Sequence, residues 1–150
     1  MTGGEIPWNA GGFDPLALIK MMARNGHNRL IGVEYHAHGD SWVELSLPYA
    51  ARLASDAKTG ILASGPIFTM MDMATSLSIW LAKGSFQPQA TLDLRIDYLR
   101  PAHPGQTVIG RGECYRLTRT IAFVRGQAHD GDHDRPVAHV AGTYMFTAGE

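Results

Sequence analysis

Two periodicities divide this chain, one of period two and one nearer four, and they mark out strands and helices. Asp14-Pro15 opens a short helix, because Asp caps a helix start and Pro suits the first turn. Leu16, Leu18, Ile19, Met21 and Met22 give that helix an apolar side, and Gly26 ends it. Ile31, Val33 and Tyr35 alternate through a strand from Leu30 to His38. Val43, Leu45 and Leu47 do so through a second from Trp42 to Leu47, and His38-Gly39-Asp40-Ser41 makes the pair a hairpin. Residues 48–61 are mixed and polar and read as a connection. Ser64-Gly65-Pro66 starts a long helix to about Leu81, closed by Lys83-Gly84; Gly or Ser can cap it, and Pro66 fits its first helical position. Apolar side chains cover most of this helix, the pattern of a buried one. Further on, Leu92, Leu94, Ile96 and Tyr98 alternate with Asp93, Arg95 and Asp97 in a strand from Thr91 to Leu99, and three more strands span 106–117, 120–129 and 136–147.

This order, with short turns between successive strands, predicts an antiparallel sheet with one long helix packed on it: an α+β fold. A helix this apolar needs more cover than one sheet face gives, so a partner subunit is expected. The chain of 150 residues fits a single domain over 1–150, with residues 1–12, rich in Gly, as a loose arm.

Composition narrows the function. A net charge of −1 with 45% hydrophobic and 18% charged residues argues against disorder and against a dedicated nucleic-acid binder. The single cysteine, Cys114, excludes an internal disulfide framework and a cysteine-based zinc cluster, and reads as a buried, unreactive thiol. No secretory signal opens the chain, and the nearly uncharged stretch from Gly60 to Ala82 carries Asp72 near its middle, where a membrane span would bury the carboxylate at its centre. A cytoplasmic protein without membrane contact is expected.

Asp72 is the one charged residue between Lys58 and Lys83, and it sits inside the helix expected to be most buried. A carboxylate there has to be paired, hydrogen-bonded, protonated or at a wet cleft. Thr69, Asp72 and Ser76 fall three and four apart and form a narrow polar strip, with Thr75 beside it. Two readings stand side by side: a general base or nucleophile facing a substrate pocket, or an anchor that binds backbone N–H groups or an arginine. The start of the same helix, Ser64-Gly65, offers free N–H groups and the positive end of the helix dipole, suited to a carbonyl oxygen on which charge develops; an ordinary Pro-started helix is the plainer reading.

The segment Gly65-Pro66-Ile67-Phe68-Thr69-Met70-Met71-Asp72-Met73-Ala74 resembles the start of the central helix in hotdog-fold thioesterases of the phenylacetic-acid-pathway (PaaI-like) type, where an Asp follows the second of two glycines by seven residues. Residues 90–102, with Tyr98-Leu99-Arg100-Pro101-Ala102 at their end, are similar to that family's signature strand. The resemblance covers roughly 60–146. It implies a hotdog fold, a long central helix wrapped by a curved antiparallel sheet, in homodimers or homotetramers with active sites at subunit interfaces. It implies hydrolysis of an acyl-CoA thioester without metal or separate cofactor. Asp72 takes the role of base or nucleophile, the backbone N–H groups of Ser64 and Gly65 that of oxyanion donors. Thr91 takes a position near the reacting centre across the interface, and Arg100, Arg119 and Thr120 take coenzyme A contacts. The family's His and first Gly fall on Ala63 and Ser64, and an Asn six residues before the His falls on Ala57.

Five arginines lie between Tyr98 and His129 against one acid, Glu113; Arg111 and Arg125 read as solvent-facing. His129-Asp130-Gly131-Asp132-His133-Asp134 contains metal-ligand residue types, but Asp-Gly between alternating segments signals a hairpin, and no metal is expected. Two rivals to a thioesterase remain. The missing His and Asn favour a non-catalytic acyl-CoA or small-acid binder on the same fold. A dehydratase or hydratase needs a His, which His36, His38 or His103 would have to supply through folding.

Overall fold

The structure is a computed structural model that describes residues 12–147; the arm expected over 1–12 lies outside these but for Gly12. Its elements are α1 (Pro15–Ala23), α2 (Gly26–Ile31), β1 (Glu34–His38), β2 (Trp42–Leu47), a short 3-10 turn (Ala51–Leu53), α3 (Ser64–Lys83), β3 (Gln89–Tyr98), β4 (Val108–Leu117), β5 (Ile121–His129) and β6 (Ala138–Phe146). The strands form one six-stranded sheet in the order β1-β2-β4-β5-β6-β3, with every pairing antiparallel. The α+β arrangement read from the sequence is therefore the observed one.

The sheet wraps α3. Val43, Leu45 and Leu47 of β2 and Val108 of β4 are fully buried with Met70, Met71, Ala74 and Leu77 of α3, at about 1.5–3 kcal/mol for each large side chain removed from water. Close approach depends on Gly112 of β4, because a Cβ there would come within 2.5 Å of the Ala74 carbonyl carbon on the helix backbone. Asp14 caps α1 as expected, its carboxylate accepting from the Ala17 N–H at 3.0 Å. Gly84, left-handed at φ 70°, ends α3.

Two expectations are corrected. Residues 26–31 are helix, not the end of one and the start of a strand: Asn28 and Ile31 face inward three apart, and Gly32 closes the helix in the left-handed conformation at φ 83°. The first strand is therefore only Glu34–His38. At α3, Ala63 takes the cap position, Ser64 and Gly65 are already helical, and Pro66 is third rather than first. The preceding segment sets that start, through the Ala54–Leu62 bridge and the Ala63 N–H bonded to the Leu53 carbonyl at 2.9 Å.

Strand β3 occupies an edge and is paired only with β6. Its register slips between Thr91 and Asp93, leaving Leu92 as an extra residue. Leu94, Ile96 and Tyr98 pair with Gly142, Val140 and Ala138, whereas Thr91 pairs with the buried Tyr144. Strict alternation would put Thr91 on the outer face with Asp93. The bulge turns it to the inner face, the re-aiming such irregularities perform in sheets.

Candidate active site

Asp72 lies mid-way along α3, partly buried, with its Oδ1 held by two hydroxyls. The Tyr144 O–H of β6 donates to it at 2.8 Å and the Thr91 O–H of β3 at 3.1 Å. Among the described residues Oδ2 has no hydrogen-bond partner. Tyr144 is buried, and burial together with the negative charge of Asp72 pushes its phenol far above the usual tyrosine value, so it acts as a fixed neutral donor. Its oxygen also lies 2.9 Å from Thr75 Oγ1, which is itself tied to the Met71 carbonyl at 2.8 Å.

The polar strip extends on either side. One turn before Asp72, Thr69 Oγ1 lies 3.3 Å from His27 Nε2 of α2. One turn after it, Ser76 Oγ accepts from Gln89 Nε2 at 2.8 Å, and the Gln89 Oε1 is buried without a partner among the described residues. Among the described residues of one chain Asp72 thus binds hydroxyls rather than backbone N–H groups. Thr91 meets it within the same chain.

The start of α3 offers a second chemical feature. Ala63 carries no capping side chain, and Pro66 has no N–H, so the orphan donors of the first turn are the N–H groups of Ser64 and Gly65, both exposed. Tyr98 donates to the Ser64 carbonyl at 2.9 Å and fixes the turn. A cavity of about 320 Å³ opens beside it, walled by Ile61, Leu62, Ile67, Leu99 and Ala102. Seven residues separate Gly65 from Asp72, about 10 Å along the helix axis, so one chain does not bring its own oxyanion donors and carboxylate to one carbonyl.

The two ends of β3 carry the other candidates. At the Thr91 end, Arg119 and Thr120 are exposed in the turn between β4 and β5, and the Thr120 carbonyl accepts from the Phe146 N–H at 2.9 Å. At the Tyr98 end, Arg100 makes a bidentate pair with Asp130, at 3.0 and 2.5 Å, and also donates to the Arg135 carbonyl. Asp130 is almost wholly buried and further accepts from the His103 backbone N–H at 2.7 Å. The guanidinium and these N–H donors hold its carboxyl far below the usual range. Arg100 is thereby engaged in joining the β3–β4 and β5–β6 connections. Asp130 lies in the His-Asp segment, which forms the β5–β6 connection with His129 and His133 in ring contact at 3.9 Å.

The long helix with its carboxylate, wrapped by this sheet order, has counterparts among known proteins. A family model described as thioesterase superfamily matches residues 59–137. The chain belongs to the thioesterase superfamily. A solved protein from Pseudomonas aeruginosa is 33% identical, with a TM-score of 0.81, covering 89% of this chain and all of that one. A thioesterase from Haemophilus influenzae shares the hotdog fold at 20% identity, with a TM-score of 0.76 and 95% of each chain covered. The PaaI protein of the phenylacetic acid degradation operon of E. coli does so at 14% identity, with a TM-score of 0.74 over 86% of this chain and 89% of that one. None of the curated proteins matches the chain. For this superfamily member, no helix among the described residues is long and apolar enough to cross a membrane.

Sequence reasoning missed Tyr144, Gln89 and His27. Tyr144 reads as one more inward aromatic of β6, and only the fold brings it to Asp72. His27, rather than His36, His38 or His103, is the imidazole that reaches the polar strip: His36 faces Glu44, His38 bonds Tyr35, and His103 bonds Asp130.

Proposed function

We propose that the chain hydrolyses acyl-CoA thioesters, as a homodimer or a dimer of dimers with sites shared between subunits. The observation that carries this reading is Asp72: a carboxylate inside an otherwise apolar helix, one oxygen fixed by two hydroxyls and the other left free. Water placed at Oδ2 loses its proton to Asp72 as its oxygen bonds to the thioester carbonyl carbon. The resulting oxyanion is held by backbone N–H groups at the start of an α3 helix. Collapse breaks the C–S bond, and the proton passes from Asp72 to the departing sulfur. If Asp72 attacks directly, water then cleaves the acyl–Asp72 anhydride at the Asp72 carbonyl; single turnover in ¹⁸O-water labels the Asp72 side chain only on that route, and the product acid on the other.

The spacing supports a shared site. Asp72 is level with Thr91 at one end of β3, and Ser64 is tied to Tyr98 at the other. Two β3 edges paired antiparallel bring the Thr91 end of one against the Tyr98 end of its partner. Each Asp72 then meets the other chain's Ser64 and Gly65. Leu92 and Leu99, both 53% exposed, flank the edge that this pairing covers. The same pairing brings Arg119 and Thr120 toward the partner's cavity beside α3, where they contact coenzyme A; Arg100, engaged by Asp130, positions that loop.

The test is release of free coenzyme A from a panel of short, long and aromatic acyl-CoAs, with Asp72→Asn alongside. Turnover that disappears in the variant is expected. Tight binding of acyl-CoA with no turnover would favour the binder reading, which the bare Ala63 cap supports. Hydration of a crotonyl-type thioester would favour a hydratase.

A further inference from the structure

A groove of about 730 Å³ lies between α1, α2 and β1, and none of its lining residues belongs to the Asp72 strip. Lys20 and Arg24 line it from α1 and its cap, Arg29 from α2, and Tyr35 and Glu34 from β1. Arg52 adds a fourth cation: its Nη2 lies 3.7 Å from where a side chain at Gly32, in the groove wall, would begin. Three cations thus line the groove with one carboxylate, and Arg52 stands beside its Gly32 wall, in a protein whose net charge is −1.

These cations are gathered in one place without carboxylate partners, whereas Arg95, Arg100, Arg111 and Arg125 each have one. Among the described residues none of Lys20, Arg24, Arg29 and Arg52 is in an ion pair, and all four are exposed. Like charges gathered around a concave surface repel one another and raise the local concentration of anions. Guanidinium forks match phosphate oxygens, and Tyr35, with the Lys20 ammonium 5.6 Å from its ring centroid, supplies an aromatic wall. The volume is that of a small-molecule site rather than of a single phosphate.

We propose that this groove binds a nucleotide-like ligand carrying two or more phosphates. The ligand is either the nucleotide end of a coenzyme A thioester or a separate phosphorylated nucleotide. The first source rests on the hydrolase reading and would place the nucleotide end here rather than at Arg119 and Thr120; the second requires no thioester chemistry.

The experiment titrates adenosine 3′,5′-bisphosphate and inorganic diphosphate into the full chain by calorimetry, at low and physiological salt. Arg24→Gln/Arg29→Gln and Lys20→Gln/Arg52→Gln are run alongside, with circular dichroism and melting as checks on folding. Wild-type protein is expected to bind both probes, more weakly as salt rises, and each double variant to bind at least about tenfold more weakly. If the groove takes the substrate's end, the variants raise KM for acyl-CoA at unchanged kcat, and the bisphosphate inhibits competitively. If it takes a separate nucleotide, KM stays unchanged and coenzyme A does not displace the bisphosphate. Absence of binding to folded wild-type protein, or binding that both folded double variants retain, overturns the proposal.

Discussion

Removing the Tyr144 hydroxyl leaves Asp72 Oδ1 with Thr91 alone. Tyr144→Phe is therefore expected to lower kcat about tenfold with little change in KM, the cost of one positioning hydrogen bond. Asp72→Asn removes the base itself and should lower kcat at least about a hundredfold while the melting temperature holds. Steady-state kinetics on the best substrate of the panel separates the two. His129 gives a prediction on stability. Burial, and then the neighbouring His133, push its imidazole below the usual value, and its Nε2 is buried without a partner among the described residues. The unfolded chain then binds more protons near neutrality, so its contribution is complete above about pH 6.5 and falls as pH drops through that value. Urea midpoints at pH 8 and pH 5.5 measure the loss, which His129→Gln should reduce. At this scale Asp72 was legible, because a lone charge in an apolar helix stands out. Tyr144 was not, because a core tyrosine and a site tyrosine occupy the same inward positions of a strand.

Elements were legible where their period ran long enough. Helix α3 and strands β2 to β6 show clear patterns, whereas the six residues of α2 are too few to display a helical repeat beside a strand-like Ile-Gly-Val. The inward turn of Thr91 depends on the Leu92 bulge, which alternation alone contradicts. Packing between elements gives two further predictions. Gly112→Ala places a methyl against the α3 backbone and should cost about 1–3 kcal/mol, read as a lower urea midpoint. Asp130→Asn leaves Arg100, only 20% exposed, without its carboxylate and should cost about 2 kcal/mol, with the β3–β4 and β5–β6 connections exchanging amide hydrogens faster.

Across the whole molecule, the β3 edge is where catalysis and assembly coincide in the proposed dimer. Leu92→Lys/Leu99→Lys places charge along that edge and is expected to give monomers on sedimentation and to abolish turnover together, with circular dichroism unchanged. Monomers that retain activity would place the site within one chain. The pairing of β3 with β6 was not legible in the sequence, since that choice joins segments far apart in the chain. The strand order has a consequence for synthesis. On the ribosome, β3 emerges about 40 residues ahead of β6, its one neighbour within the sheet, a delay of a few seconds at ordinary elongation rates. Until β6 arrives, both edges of β3 are unpaired and Asp72 lacks the Tyr144 hydroxyl. Closure of the sheet and completion of the carboxylate's setting are thus one late event, so a nascent chain halted before Ala138 would carry α3 and β3 and still have no finished site.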